Sequence, residues 1–291
     1  MEIREVHRDM MDVVRAFLTN RDEIFDPNNW DGLFNYSWKP AGMPYGYAIF
    51  NDEKIVGFLG TIFSERRMNG KNWTCCNTTC WFVEPEFRNQ MQTLRLFAPI
   101  LKMKGLLITN LTPSDGAIRI CEQFGYKSLD QEQVVVPVLP LPAFAIGKRP
   151  LVSFDPNEIK RYLTAEEEKL FRDHEGLKCK HFLIKERHSG EHCYGIATAL
   201  PMRRLRFVKG QWLNICYLSN AEIFARNYRH MRIKLWREGR FCLLRYDARL
   251  VPGQLSRIAS RGKKIRQYKS SEPLPWTIDN LYSEIMTFNK Y

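Results

Sequence analysis

Apolar positions along this chain change period repeatedly, and the changes predict alternating strands and helices. In residues 2–24, Ile3, Val6, Met10, Val13, Val14, Phe17 and Leu18 fall at the spacing of an amphipathic helix, which the stretch from Asp26 to Gly32 breaks. The segment up to Pro44 is aromatic and irregular, with Trp30, Phe34, Tyr36 and Trp38. Two β-rich runs, 45–50 and 55–63, flank Asn51-Asp52-Glu53-Lys54 and read as a hairpin. Asn69-Gly70 marks another turn. The next strand, 73–83, ends before Pro85, because proline has no N–H to give a sheet. From about Asn89 the period becomes helical through Met91, Leu94, Leu96, Phe97, Ile100 and Leu101, until Gly105. A short buried strand follows at 106–111. Ser114 then caps a helix with Ala117, Ile118, Cys121 and Phe124 on one face and Gly125 at its end. Residues 134–139 form a last strand before a proline-rich connector that runs to Pro150.

The second half repeats this grammar. A polar helix over 157–169 leads to a hairpin of 181–184 and 193–200, a strand after Gly210-Gln211-Trp212, a helix over 221–237 and a strand at 241–244. Trp212 lies 139 residues beyond Trp73 and Gly239 lies 134 beyond Gly105, offsets that suggest duplication. The expected domains are 1–140 and 141–291.

One place in this pattern carries chemistry. The strand ending at Val83 feeds a short turn and then a helix, which points unpaired N–H groups and the positive end of a helix dipole outward, with Arg88 at the lip. That is a site for phosphate. Lys plus Arg total 44 against 32 Asp plus Glu, and the net charge of +12 favours anionic partners such as nucleotides, CoA or nucleic acid. The most basic stretch, from Arg257 to Lys269, carries no nucleic-acid recognition motif and reads as a solvated charged face, so a nucleic-acid partner is not expected. No run approaches the ~20 apolar residues of a spanning helix, and the N-terminus lacks the apolar core of a signal peptide, so a cytoplasmic location is expected. The eight cysteines fit that compartment as small apolar residues. Cys179, His181, His188, His192 and Cys193 show no standard ligand spacing, so no metal is expected.

Val83-x-Pro85-x-Phe87-Arg88 followed by a helix resembles the acetyl-CoA-binding segment of the GNAT family of acyl-CoA N-acyltransferases. The element order of residues 1–140 resembles that family's core, and Ser114, Ala117, Gly125 and Tyr126 resemble its last conserved segment. The resemblance implies an α/β (α+β) fold of two tandem GNAT-like domains, each a mixed, mostly antiparallel sheet flanked by helices, the second degenerate. It implies acetyl-CoA or another acyl-CoA as co-substrate. Its contacts would be the backbone N–H groups of Phe82 and Val83, the turn Arg88, Asn89, Gln90, Met91, Gln92 and Thr93, and Ser114. Met91 and Thr93 stand where the family usually has small residues. Cys121 takes the place of a tyrosine that protonates the departing sulfur, and Glu84 is the first carboxylate near the position of the usual base. His192 and His230 are alternative bases, since histidine titrates near neutrality.

The function expected is a CoA-dependent N-acyltransferase, an N-acetyltransferase in the simplest case. Its acceptor would be a small, anionic amine such as an amino-sugar nucleotide, and a homodimer is compatible with it. Two alternatives stay open. One is an inactive GNAT fold serving as a binding scaffold; the other is a Fem-like transferase that takes an aminoacyl group from tRNA.

Overall fold

A computed structural model of the chain describes residues 1–19, 27–68, 70–88, 90–129, 132–138, 149–202, 210–251, 253, 255, 259–272 and 278–288. It opens with strand β1 (Glu2–Val6) and helix α1 (Met11–Thr19), followed by β2 (Gly46–Asn51), β3 (Lys54–Met68) and β4 (Lys71–Val83). Helix α2 (Gln90–Lys102), β5 (Leu106–Asn110), α3 (Asp115–Gln123) and the two-residue β6 (Lys127–Ser128) complete the first run. Next come β7 (Glu132–Pro137), β8 (Leu151–Ser153), α4 (Pro156–Lys160), α5 (Ala165–His174), β9 (Cys179–Lys185) and β10 (His192–Pro201). The chain ends through β11 (Gln211–Leu218), α6 (Ala221–Gly239), β12 (Phe241–Asp247), β13 (Ser260–Lys263), β14 (Gln267–Lys269) and α7 (Glu284–Thr287). Among the described residues no helix is long and apolar enough to cross a membrane.

These elements form two compact units. The first holds residues 1–129, 265–278 and 282–291; the second holds 130–264 and 279–281. Each contains one seven-stranded sheet. The orders are β1-β2-β3-β4-β5-β14-β6 and β8-β9-β10-β11-β12-β7-β13. Position for position they match, and in each sheet the fourth and fifth strands pair in parallel while the other pairings are antiparallel. The duplication read from residue offsets is therefore a duplication of topology.

The sixth strand of each sheet comes from a distant part of the chain. Residues 134–139, read as closing the first half, contribute β7, which pairs with β12 in the second sheet through Leu243↔Pro137 to Asp247↔Gln133. The first sheet receives β14 from near the chain end, through Gln267↔Asn110 and Tyr268↔Thr109. The buried alternation of Val134, Val136 and Val138 specifies a strand with one core face, and it suits either sheet equally.

Three other expectations are corrected. Residues 2–6 are an edge strand on β2, not the start of a helix, because the open N–H and C=O groups of β2 are paired by them; the helix begins at Met11 and buries Val14, Phe17 and Leu18. The single polar helix over 157–169 is two. The first ends at Lys160 with Arg161 as its C-cap, and Thr164 opens the second with a capping box, its hydroxyl accepting from Glu167 N–H while Glu167 accepts from its N–H at 2.8 Å. The basic stretch near the chain end is not one solvated face. Ser260–Lys263 is exposed, whereas Arg266 and Gln267 are 2% and 0% exposed and β14 is built into the sheet.

The first unit's core lies between the sheet and helices α2 and α3, where Tyr47, Ile49, Leu59, Phe63, Leu96 and Phe97 pack together. All five residues of β5 are buried, as a strand covered on both faces requires. Gly105 and Gly125, at φ 69° and 78°, end α2 and α3 in the left-handed conformation that glycine adopts without strain.

Candidate active site

In the first unit β4 and β5 pair only from Thr74↔Leu106 to Asn77↔Thr109. β4 runs on to Val83 while β5 ends at Asn110, so the sheet opens between them. A bulge drives the opening: Thr79 pairs with Gly60 and Phe82 with Phe58, so Cys80 and Trp81 together oppose Leu59, and Cys80 sits at φ 51°. A bulge of this kind bends its strand and increases its twist. At the root of the opening the strands are tied by side chains. Asn77 Nδ2 donates to Thr109 Oγ1 at 3.2 Å, and Thr78 Oγ1 donates to the Thr109 carbonyl at 3.1 Å.

Two adjoining arms occupy the opening. The first, about 290 Å³, is lined by Leu18, Trp30, Leu59, Thr78, Asn110 and Thr112. The second, about 490 Å³, is lined by Val83, Arg88, Leu94, Gly116 and Ile120. Trp81, Phe82, Ser114 and Ala117 line both, so the arms meet between the bulge of β4 and the first turn of α3. Ser114 caps that helix, its hydroxyl accepting from Ala117 N–H at 3.4 Å.

The ladder decides which backbone donor faces this space. Glu84 N–H donates to Val56 at 2.8 Å, which marks 56/84, and by alternation 58/82, as hydrogen-bonded pairs with β3. Val83 lies between them and turns its N–H and C=O the other way, toward the opening. The Arg88 side chain agrees, since its Nε donates to the Val83 carbonyl at 2.7 Å. Arg88 is thereby held beside the start of α2, with its guanidinium 5.2 Å from the Phe82 ring centre.

No family model matches the sequence, and no curated protein is similar to it. Solved structures are similar in shape. A GCN5-related N-acetyltransferase from Anabaena variabilis has a TM-score of 0.57 at 13% identity, over 92% of this chain and 72% of that one. Another from Kribbella flavida has 0.55 at 12%, covering 92% and 70%. Eis1 from Mycobacterium abscessus has 0.54 at 11%, covering 92% and 73%. The fold is that of the GCN5-related N-acetyltransferases.

Within this GNAT fold, Phe82, Val83, Arg88 and Ser114 come together along the second arm. Of the two expected carbonyl donors, Val83 is turned to the opening and Phe82 to β3. Asn89 and the side chains of Gln90, Met91, Gln92 and Thr93 lie outside the described residues; the backbone of Gln90 to Thr93 forms the first turn of α2. Cys121 lines neither arm. It is fully buried in the core beside Cys76 and Tyr126, and burial pushes its thiol up to about 11. Glu84 is 4% exposed, faces Lys54 at 3.6 Å and also lines neither arm.

The first arm has another carboxylate behind it that the sequence reading missed. Glu284, fully buried, accepts from Thr112 Oγ1 at 2.7 Å, and its N–H donates to Asn77 Oδ1 at 3.1 Å. Burial raises its pKa, and Thr112, Asn77 and Arg266 offset this only in part. No local signal marks Glu284, because its place depends on a chain end returning to the strands of residues 77–112.

The second unit has the same parallel pairing, from Gln211↔Phe241 to Asn214↔Arg245, and a bulge at Ile196/Ala197. Here the divergence is bridged. Asn280 N–H donates to the Cys216 carbonyl and its Nδ2 to Asp247 Oδ2, each at 3.3 Å, so a main-chain segment ties β11 to β12. Asn220 caps the start of α6, accepting from Ile223 N–H at 3.1 Å. His192 is paired with Glu167 at 2.9 Å, and His230 lines a separate hollow with Arg149, Lys234 and Arg237. Among the described residues no three His, Cys, Asp or Glu side chains gather as a metal site requires.

Proposed function

We propose that the chain is a CoA-dependent N-acyltransferase that holds acyl-CoA in the second arm of its first unit and an amine in the first arm. The observation that carries this reading is the meeting of the two arms at Trp81, Phe82, Ser114 and Ala117, with the Val83 N–H turned toward it. A thioester there has its carbonyl oxygen within reach of a fixed backbone donor, which favours the charge that develops on that oxygen during attack. Arg88 and the N–H groups of the first turn of α2 suit a pyrophosphate. The amine attacks the carbonyl carbon, the C–S bond breaks, and the sulfur takes a proton from the attacking nitrogen. Cys121, enclosed in the core, is given no part. The second unit, its divergence bridged by Asn280, is a supporting half without its own acyl-CoA.

Calorimetric titration with acetyl-CoA tests the reading. The full chain should bind saturably. Arg88→Ala should weaken binding about tenfold or more, since a hydrogen bond to a charged group contributes about 1.5–3 kcal/mol. If neither acetyl-CoA nor a longer acyl-CoA binds, the protein is a GNAT-fold binding module and not an enzyme of this class.

A further inference from the structure

We propose that the acceptor is a primary amine on an apolar body, cationic when free, and that Glu284 takes its proton through Thr112. This rests on the acyltransferase reading and reverses the expectation of an anionic acceptor. Among the described residues that line the first arm none is charged. Leu18, Trp30, Leu59 and Phe97 supply apolar surface, and Thr78, Asn110 and Thr112 supply neutral polar groups. A phosphate or carboxylate entering this arm would be desolvated with no cation to meet it. An ammonium would meet the indoles of Trp30 and Trp81, a ring type that attracts cations, and the polar side chain of Thr112.

Thr112 is the link. Its hydroxyl donates to Glu284 Oε1 at 2.7 Å, so its own lone pair is left for a donor in the arm. Glu284 is held in place by its N–H to Asn77 Oδ1, and Asn77 is in turn anchored to Thr109 at the root of the opening. Arg266, 2% exposed, is the charged group that bears on Glu284 and favours its ionised form.

The step balances. The ammonium donates an N–H to Thr112 Oγ1; as that proton transfers, the hydroxyl proton of Thr112 passes to Glu284 Oε1. This leaves a neutral amine, an unchanged threonine and a carboxylic acid. The nitrogen lone pair forms the C–N bond, the C–S pair leaves on sulfur, and the nitrogen's second proton neutralises the thiolate. Glu284 returns its proton to water before the next turnover. Glu284 acts through Thr112 and is a positioning and proton-accepting residue, not one that touches the substrate.

The test uses the full chain, acetyl-CoA and 2-phenylethylamine, with thiol release followed from pH 5 to 9. In the parent, kcat should fall on the acid side through one ionisation. Glu284→Gln, which keeps an acceptor for Thr112, should lose that acid limb and about a hundredfold in kcat at neutral pH while binding acetyl-CoA unchanged. Thr112→Val should behave alike, and Thr112→Ser should restore the limb. A Glu284→Gln protein that keeps the limb and the rate overturns the proposal, as does preference for glucosamine 6-phosphate over 2-phenylethylamine. If the parent binds no acetyl-CoA, the acyltransferase reading fails separately, and direct titration with 2-phenylethylamine still decides this one. The parent should bind it more weakly as pH falls, and Glu284→Gln should bind it weakly at every pH. Equal binding by the two proteins, or none by either, overturns the proposal.

Discussion

Ala117 offers a steric test that is independent of charge. It lies on α3, lines both arms and stands where they meet. Leucine there keeps a strong helix former on the helix, at a cost of a few tenths of a kcal/mol at most. The three added carbons project into the junction of a 290 Å³ and a 490 Å³ space, so they cover apolar lining and do not force the core apart. Covering that surface contributes up to about 2 kcal/mol, at about 0.8 kcal/mol per CH₂, so Ala117→Leu should unfold at or slightly above the parent temperature. A bound pantetheine would have to share the space. Overpacking of this kind costs about 1–3 kcal/mol, which converts to acetyl-CoA binding weakened about 5- to 150-fold. Calorimetric titration beside thermal unfolding reads both quantities. Unchanged affinity in a protein of unchanged stability would show that the groove is not where acyl-CoA binds.

Two predictions concern the second unit. A Cβ added to Gly195 would overlap the Phe182 ring, which is fully buried and flanked by Phe154 and Phe224 with ring centres 6.0 and 6.1 Å away; Gly195→Ala should cost about 3 kcal/mol and lower Tm by about 6–12 °C, and an unchanged Tm would refute the packing argument. Burial alone would raise the pKa of Glu167, but hydrogen bonds from Thr164 N–H, His192 and Ser219 outweigh it and hold the group below its ordinary 4.5. The stability this adds is present above about pH 4.5 and is lost as pH falls through the folded value. Urea unfolding should therefore find Glu167→Gln less stable than the parent at pH 7, with the gap closing below pH 4; a gap that persists or widens in acid would contradict the assignment.

Local chemistry made much of the first unit legible. The hairpin of residues 46–68, the stop at Pro85, the helix starts at Gln90 and Asp115 with their glycine ends, and the Ser114 cap depend on neighbours within a few residues, and the structure has them. What failed depends on distant partners. Nothing in the alternation of Val134, Val136 and Val138 says which sheet receives it, and Gln267 to Lys269 are three polar or amphipathic residues that become the sixth strand of a sheet only because β5 has an open edge. The same holds at the site. The nearness of Val83 and Arg88 is set by one local turn and is legible in the sequence, whereas Thr112 and Glu284, 172 residues apart, meet only in the folded chain. Cys121 matched a helical position, but helix rotation alone could not tell a groove-facing thiol from one turned into the core.

The stoichiometry of acetyl-CoA binding tests the central claim most directly, because the two sheets share one topology and, among the described residues, Asn280 bridges the parallel strands of the second while two arms open between those of the first. The account predicts one molecule bound per chain in a calorimetric titration, with Arg88→Ala and Ala117→Leu each weakening that single site. Two sites per chain, or none, would contradict it.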